Sequence, residues 1–166
     1  MFGLTQLGVF HTAISLIALA SGIIALIRDK EISWKSGIGK IYVIATIIVC
    51  ATGFGIFQHG GFGKPHILGI ITLLVLSAAL IAGSKKSPFG SASRYIETVG
   101  FSATFFFHLI PTITESATRL PLDAPIAASP NDPRIQLATG ICFLLFLLGA
   151  TLQVIKLRKA RALNLQ

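Results

Sequence analysis

Charge is missing from this sequence in long blocks. Counting Asp, Glu, Lys and Arg, residues 1–27, 41–63, 65–84, 98–114 and 135–155 carry none. Each block is about 17 to 27 residues long, close to the ~20 that a helix needs to cross a bilayer core. A buried helix of a soluble protein would keep charges at helical spacing on its outer face. These blocks have none to place there. Only 12% of the chain is charged, whereas soluble domains carry roughly 25%. With 53% hydrophobic residues, disorder is excluded as well. The pattern predicts an all-α fold, an integral membrane bundle of five transmembrane helices. Their cores fall at 7–27, 41–57, 66–82, 96–113 and 135–155, in a single domain spanning 1–166.

The linkers predict an orientation. Arg28, Lys30, Lys35 and Lys40 follow the first block, and Lys85, Lys86 and Arg94 follow the third. Lys156, Arg158, Lys159 and Arg161 follow the fifth. The other side holds Lys64, Arg119 and Arg134, against Glu115, Asp123 and Asp132. Cytoplasmic loops collect Lys and Arg, so the expectation is a bacterial inner-membrane protein with its N-terminus outside and its C-terminus in the cytoplasm. The net charge of +8 is then topological, and nucleic acid drops out as a partner. The lipid bilayer is the expected partner, with anionic headgroups at the basic loops and a membrane protein or second copy as further options. The first block has no basic segment ahead of it, so it reads as a retained helix rather than a signal peptide. Cys50 and Cys142 sit inside spans without a metal or redox spacing and read as small buried hydrophobes.

The loop 111–134 is different from the short basic linkers. Its five prolines, Pro111, Pro121, Pro125, Pro130 and Pro133, are expected to prevent a continuous helix. Its apolar residues, Leu120, Leu122, Ile126, Ala127 and Ala128, suit either a lid over the outer mouth or a tether. Small residues mark the helix faces that should point inward: His11, Ser15, Ala18 and Gly22 on the first span, and Thr52, Gly55 and His59 on the second.

Four histidines complete the pattern. His11, His59, His66 and His108 each fall in or beside a different span, and the expected topology puts all four in the outer half. Ionisable groups at membrane depth usually face a bundle interior and mark function, and neutral imidazole is a good metal ligand. His108, Thr112, Glu115 and Arg119 share one face if their helix continues past Pro111. Glu115 is then a ligand, a proton acceptor or an orienting group, or simply the ion-pair partner of Arg119.

Four chemistries fit. The first is haem b on His11 and His108, walled by Phe54, Phe57, Phe105, Phe106 and Phe107. The second is a zinc, copper or iron ion on His11, His59, His66 and His108 with Glu115. The third is a proton or quinone relay through His108 and Glu115. The fourth is a cofactor-free transporter or accessory subunit whose histidines are structural. The leading expectation is the metal or haem site with a redox or metal-handling role. No nucleophile–base constellation points to an enzyme.

Three stretches carry a family likeness. They are Phe10-His11, the run Gly-Ile-Gly-Lys-Ile-Tyr-Val at 37–43, and Phe-His-Leu-Ile-Pro-Thr-Ile-Thr-Glu-Ser-Ala-Thr-Arg-Leu-Pro-Leu-Asp-Ala-Pro at 107–125. Together they resemble bacterial polytopic membrane proteins grouped as a domain of unknown function. In that family a His-Arg pair precedes the Gly-Arg of the second span. Here those places are Lys35-Ser36 and Gly39-Lys40, so no role of that histidine carries over. The resemblance implies a multi-helix membrane fold and brings no activity with it.

Overall fold

A computed structural model describes residues 5–57 and 61–163. Among them are five α-helices and no strand: α1 (Gln6–Arg28), α2 (Gly37–Gly53), α3 (Lys64–Ala82), α4 (Ser93–Arg119) and α5 (Pro133–Leu163). A single 3-10 turn, Gly90–Ala92, leads into α4. The starts are capped as the local sequence dictates. The Thr5 hydroxyl accepts from the Gly8 amide at 3.1 Å, and Ser36 accepts from Gly39 at 3.0 Å. Pro65 sits in the first turn of α3, where a missing N–H costs nothing. Asp132 accepts from the Arg134 amide at 2.9 Å at the start of α5. Gly39 allows the 31–36 turn to close on α2, because a Cβ there would lie 1.9 Å from the Ser33 carbonyl oxygen.

Four helices, α1, α3, α4 and α5, are long and apolar enough to cross a membrane. The second expected span, α2, has 17 residues, or roughly 25 Å at 1.5 Å per residue. The larger correction concerns Pro111. The proline-dense segment was expected to leave helix there, yet α4 runs through Pro111 to Arg119. One proline removes one backbone hydrogen bond. The threonines beyond it bond back to their own helix, Thr112 to the His108 carbonyl at 2.7 Å and Thr114 to Ile110 at 2.9 Å. Only 120–132 lies between α4 and α5, and it folds onto the end of α4 through the Ala127 amide and the Ala117 carbonyl, 2.9 Å apart. Ala127 is buried there, whereas Leu120, Leu122 and Ile126 stay exposed.

Sequential helices pack antiparallel. The α1–α2 and α3–α4 pairs are the closest, and the α2–α3 and α1–α4 contacts close a four-helix ring. Across that ring α2 and α4 touch through side chains. The buried core is Ala25, Ile32, Tyr42, Val43, Leu76, Ala79 and Phe101. The small-residue stripe of α1 does face inward, with Ala18 and Gly22 buried and His11 and Ser15 half-buried. Helix α5 lies outside the ring against α4 and buries only Ile135. Its leucines, like the outer faces of α1 and α3, are exposed. A chain whose large apolar residues point outward while its polar ones point inward suits a lipid environment.

Candidate functional site

Three interhelical hydrogen bonds, two buried within the ring and one part-buried near the end of α2, share one design. A threonine on one helix gives its single hydroxyl proton to its own helix and presents its oxygen to a ring on another. Thr46 donates to the Tyr42 carbonyl at 2.8 Å, so it accepts from Nε2–H of His108 at 3.0 Å. Thr104 donates to the Phe101 carbonyl at 2.8 Å, so it accepts from the Tyr42 hydroxyl at 2.8 Å. Thr52 donates to Ile48 at 2.8 Å, so it accepts from Nδ1–H of His11 at 2.9 Å. Tyr42, Thr46, Thr104 and His108 are all buried, and the Tyr42 ring meets that of His108 edge-on, with centroids 5.9 Å apart.

The structure treats the five sequence-derived site residues unequally. His11 on α1 and His108 on α4 both bond to α2, at Thr52 and Thr46. Glu115 itself is exposed and pairs with Arg119 at 2.6 Å. His66 is sandwiched between Phe57 and Phe62, with ring centroids 5.0 and 5.1 Å away. Its Nδ1 accepts from the Gly63 amide at 3.1 Å, which leaves the proton on a buried Nε2 that meets no partner among the described residues. His59 lies outside the described residues. No group of three or more His, Cys, Asp or Glu side chains among the described residues is close enough to hold a metal ion. The phenylalanines meant as haem walls fill helix contacts: Phe105 packs on Tyr42, Phe106 stacks on Phe146 of α5, and Phe57 stacks on His66.

A second polar group lies at the opposite, basic end of the ring. Arg94 bonds Glu31 at 2.5 Å and Glu97 at 2.8 Å, and Thr98 reaches Glu31 at 3.5 Å. Glu97 is 2% exposed. Its Oε2 takes the guanidinium, while its Oε1 is buried without a partner among the described residues. Gly83 at the end of α3 makes the room, since a Cβ there would lie 2.6 Å from Oε1. The Gln153 amide of α5 ties this end together, accepting from Ser102 at 2.9 Å and donating to the Lys30 carbonyl at 3.0 Å.

Sequence reasoning missed this group because it counted Arg94 as loop charge and left Glu97 inside a span core without comment. A signal was present: Glu97, Phe101, Thr104 and His108 follow i, i+4, i+7, i+11, and all four are buried on one face of α4. Phe101, fully buried, separates the acidic group from the hydroxyl–imidazole group. Comparison of the chain with protein-family models, curated proteins and solved structures finds no match in any of the three.

Proposed function

We propose that the chain is a five-span protein of the bacterial inner membrane, N-terminus outside, that moves protons across the bilayer without a cofactor. The observation that carries this reading is the buried face of α4, with a carboxylate at Glu97, an imidazole at His108 and the Phe101 layer between them. Glu97 and His108 are 11 residues apart, roughly 16 Å along the helix. Threonine contacts alone would hold the helices together at modest cost. An acid and an imidazole at membrane depth cost more and typify proton relays. The Tyr42, Thr46 and Thr104 hydroxyls lie on the His108 side of Phe101, where the threonines commit their protons to their own helices and Tyr42 donates to Thr104. The resting arrangement is closed at Phe101, so transfer requires that layer to part.

Reconstitution into vesicles with a pH-sensitive dye and an imposed potassium diffusion potential tests the reading. Wild-type vesicles should acidify faster than empty ones, and Glu97→Gln and His108→Ala should each remove most of the excess. Flux equal to that of empty vesicles would overturn it.

A second reading, a metal or haem site on His11 and His108 with Glu115 drawn in, rests on the two imidazoles bonding to the same helix, at Thr52 and Thr46 of α2. Elemental analysis for zinc, copper and iron on purified protein tests it. Stoichiometric metal that disappears in the His11→Ala, His108→Ala double variant would favour it, and metal-free protein would sink it.

A further inference from the structure

The basic end opens into a cleft of about 360 Å³, within the usual range for small-molecule pockets. Its walls include Trp34, Leu80 and Phe101, and its polar groups include Lys35 and Glu97. Two carboxylates, Glu31 and Glu97, share the one guanidinium of Arg94. Within that triad one carboxylate oxygen is left without a partner among the described residues, Oε1 of Glu97, buried and set against Gly83, which also lines the cleft. Lys35 is exposed and makes no ion pair among the described residues. The last carbonyls of α3 end at the same place, and a helix C-terminus favours cations.

We infer that this cleft binds an organic ammonium ion, its charge on Oε1 of Glu97 and its hydrocarbon against Trp34, Leu80 and Phe101. The alternatives fit less well. Hard metal cations require six or more oxygens, and this wall is largely apolar. An anion would leave Oε1 of Glu97, an acceptor, still without a partner. Aromatic faces beside a carboxylate are a known setting for alkylammonium groups. The inference shares Glu97 with the proton reading, but its test reads ligand binding rather than flux, so either can fail alone.

The sole tryptophan of the chain, Trp34, lines this cleft, so its fluorescence reports occupancy. Full-length protein in maltoside detergent is titrated with 2-phenylethylammonium chloride, its neutral isostere 2-phenylethanol, and sodium chloride. A saturable change is expected with the ammonium alone. Glu97→Gln should weaken its midpoint about thirtyfold or more, as when one partner of a desolvated charge pair is removed. Gly83→Ala, which keeps the charge and places a methyl 2.6 Å from the present Oε1 position, should weaken it too. The titration is repeated in phosphatidylglycerol vesicles with and without phosphatidylethanolamine. An unchanged midpoint makes a free amine the ligand, and a weakened one makes the aminolipid headgroup the occupant. Equal responses to the ammonium and the alcohol would overturn the inference, as would no saturation or retention of the wild-type midpoint in a folded Glu97→Gln protein. The comparison between ammonium and alcohol needs only wild-type protein and stands if the variants fail to fold.

Discussion

The threonines of the bundle centre act as one-way adaptors. Each commits its proton to its own helix, so the ring across from it must be the donor. This predicts unequal costs for two substitutions of similar size. Tyr42→Phe removes one donor and leaves Thr104 still bonded to Phe101, a loss of about 0.6 kcal/mol by the average for interhelical bonds in membranes. Thr46→Val strands Nε2–H of the buried His108, which should cost about 1–3 kcal/mol. Equilibrium unfolding in mixed micelles measures both, and equal losses would disprove the adaptor scheme. Phe101, wholly enclosed, has a third role. Phe101→Ala should destabilise by about 3–5 kcal/mol and, in the surviving folded protein, raise the proton leak. A destabilised protein without a leak would show that the layer is not a gate.

At the level of single elements, α4 organises the molecule. It contacts α1, α3 and α5, and reaches α2 through Tyr42 and His108. Its persistence through Pro111 carries Glu115 and Arg119 on the same helix as His108. Helix α5 is the contrast: it begins at a cap and packs on one neighbour. The Asp132 carboxyl at that cap is pulled down to about 2 by hydrogen bonds from Arg134. A depressed carboxyl stabilises the fold above its unfolded value and loses that contribution only as pH falls through the folded one. The cap should therefore hold at neutral and mildly acidic pH and fail between about pH 4 and pH 2. A carbon-13 NMR titration of Asp132 tests this, and a midpoint in the ordinary carboxylate range would refute it.

For the whole molecule, the basic end and the histidine end separate cleanly, and the proposed orientation assigns them to the cytoplasm and the outside. Replacing Cys50 and Cys142 and introducing Lys86→Cys or Ala124→Cys makes this visible, since both positions are exposed loop residues. A membrane-impermeant maleimide should label Ala124→Cys in intact cells and Lys86→Cys only after lysis. The opposite pattern would invert the topology.

The helix positions were legible in the sequence because a long charge-free block has few alternatives. In lipid its backbone must bond to itself, and each of the five blocks overlaps one helix, although α2 stops at Gly53, ten residues before its block ends, and α5 runs eight residues past its own. Even Pro111 was only half a surprise, since the face shared by His108 and Glu115 was visible on the condition that the helix continued. The partnerships were not legible. His108 meets Thr46 from 62 residues away, and Arg94 meets Glu31 from 63. Where apolar residues cover every side of a helix, the pattern does not say which side turns inward. Histidines were conspicuous because they are rare, so they drew the functional reading to one end. The acid in the other end, Glu97, looked like a flanking charge until the packing of α3 and the 31–36 turn enclosed it. Charge and length along the chain determined the elements and their alternation. Which polar atoms meet, and which oxygen is left without a partner, was decided only when the four helices closed on a common centre.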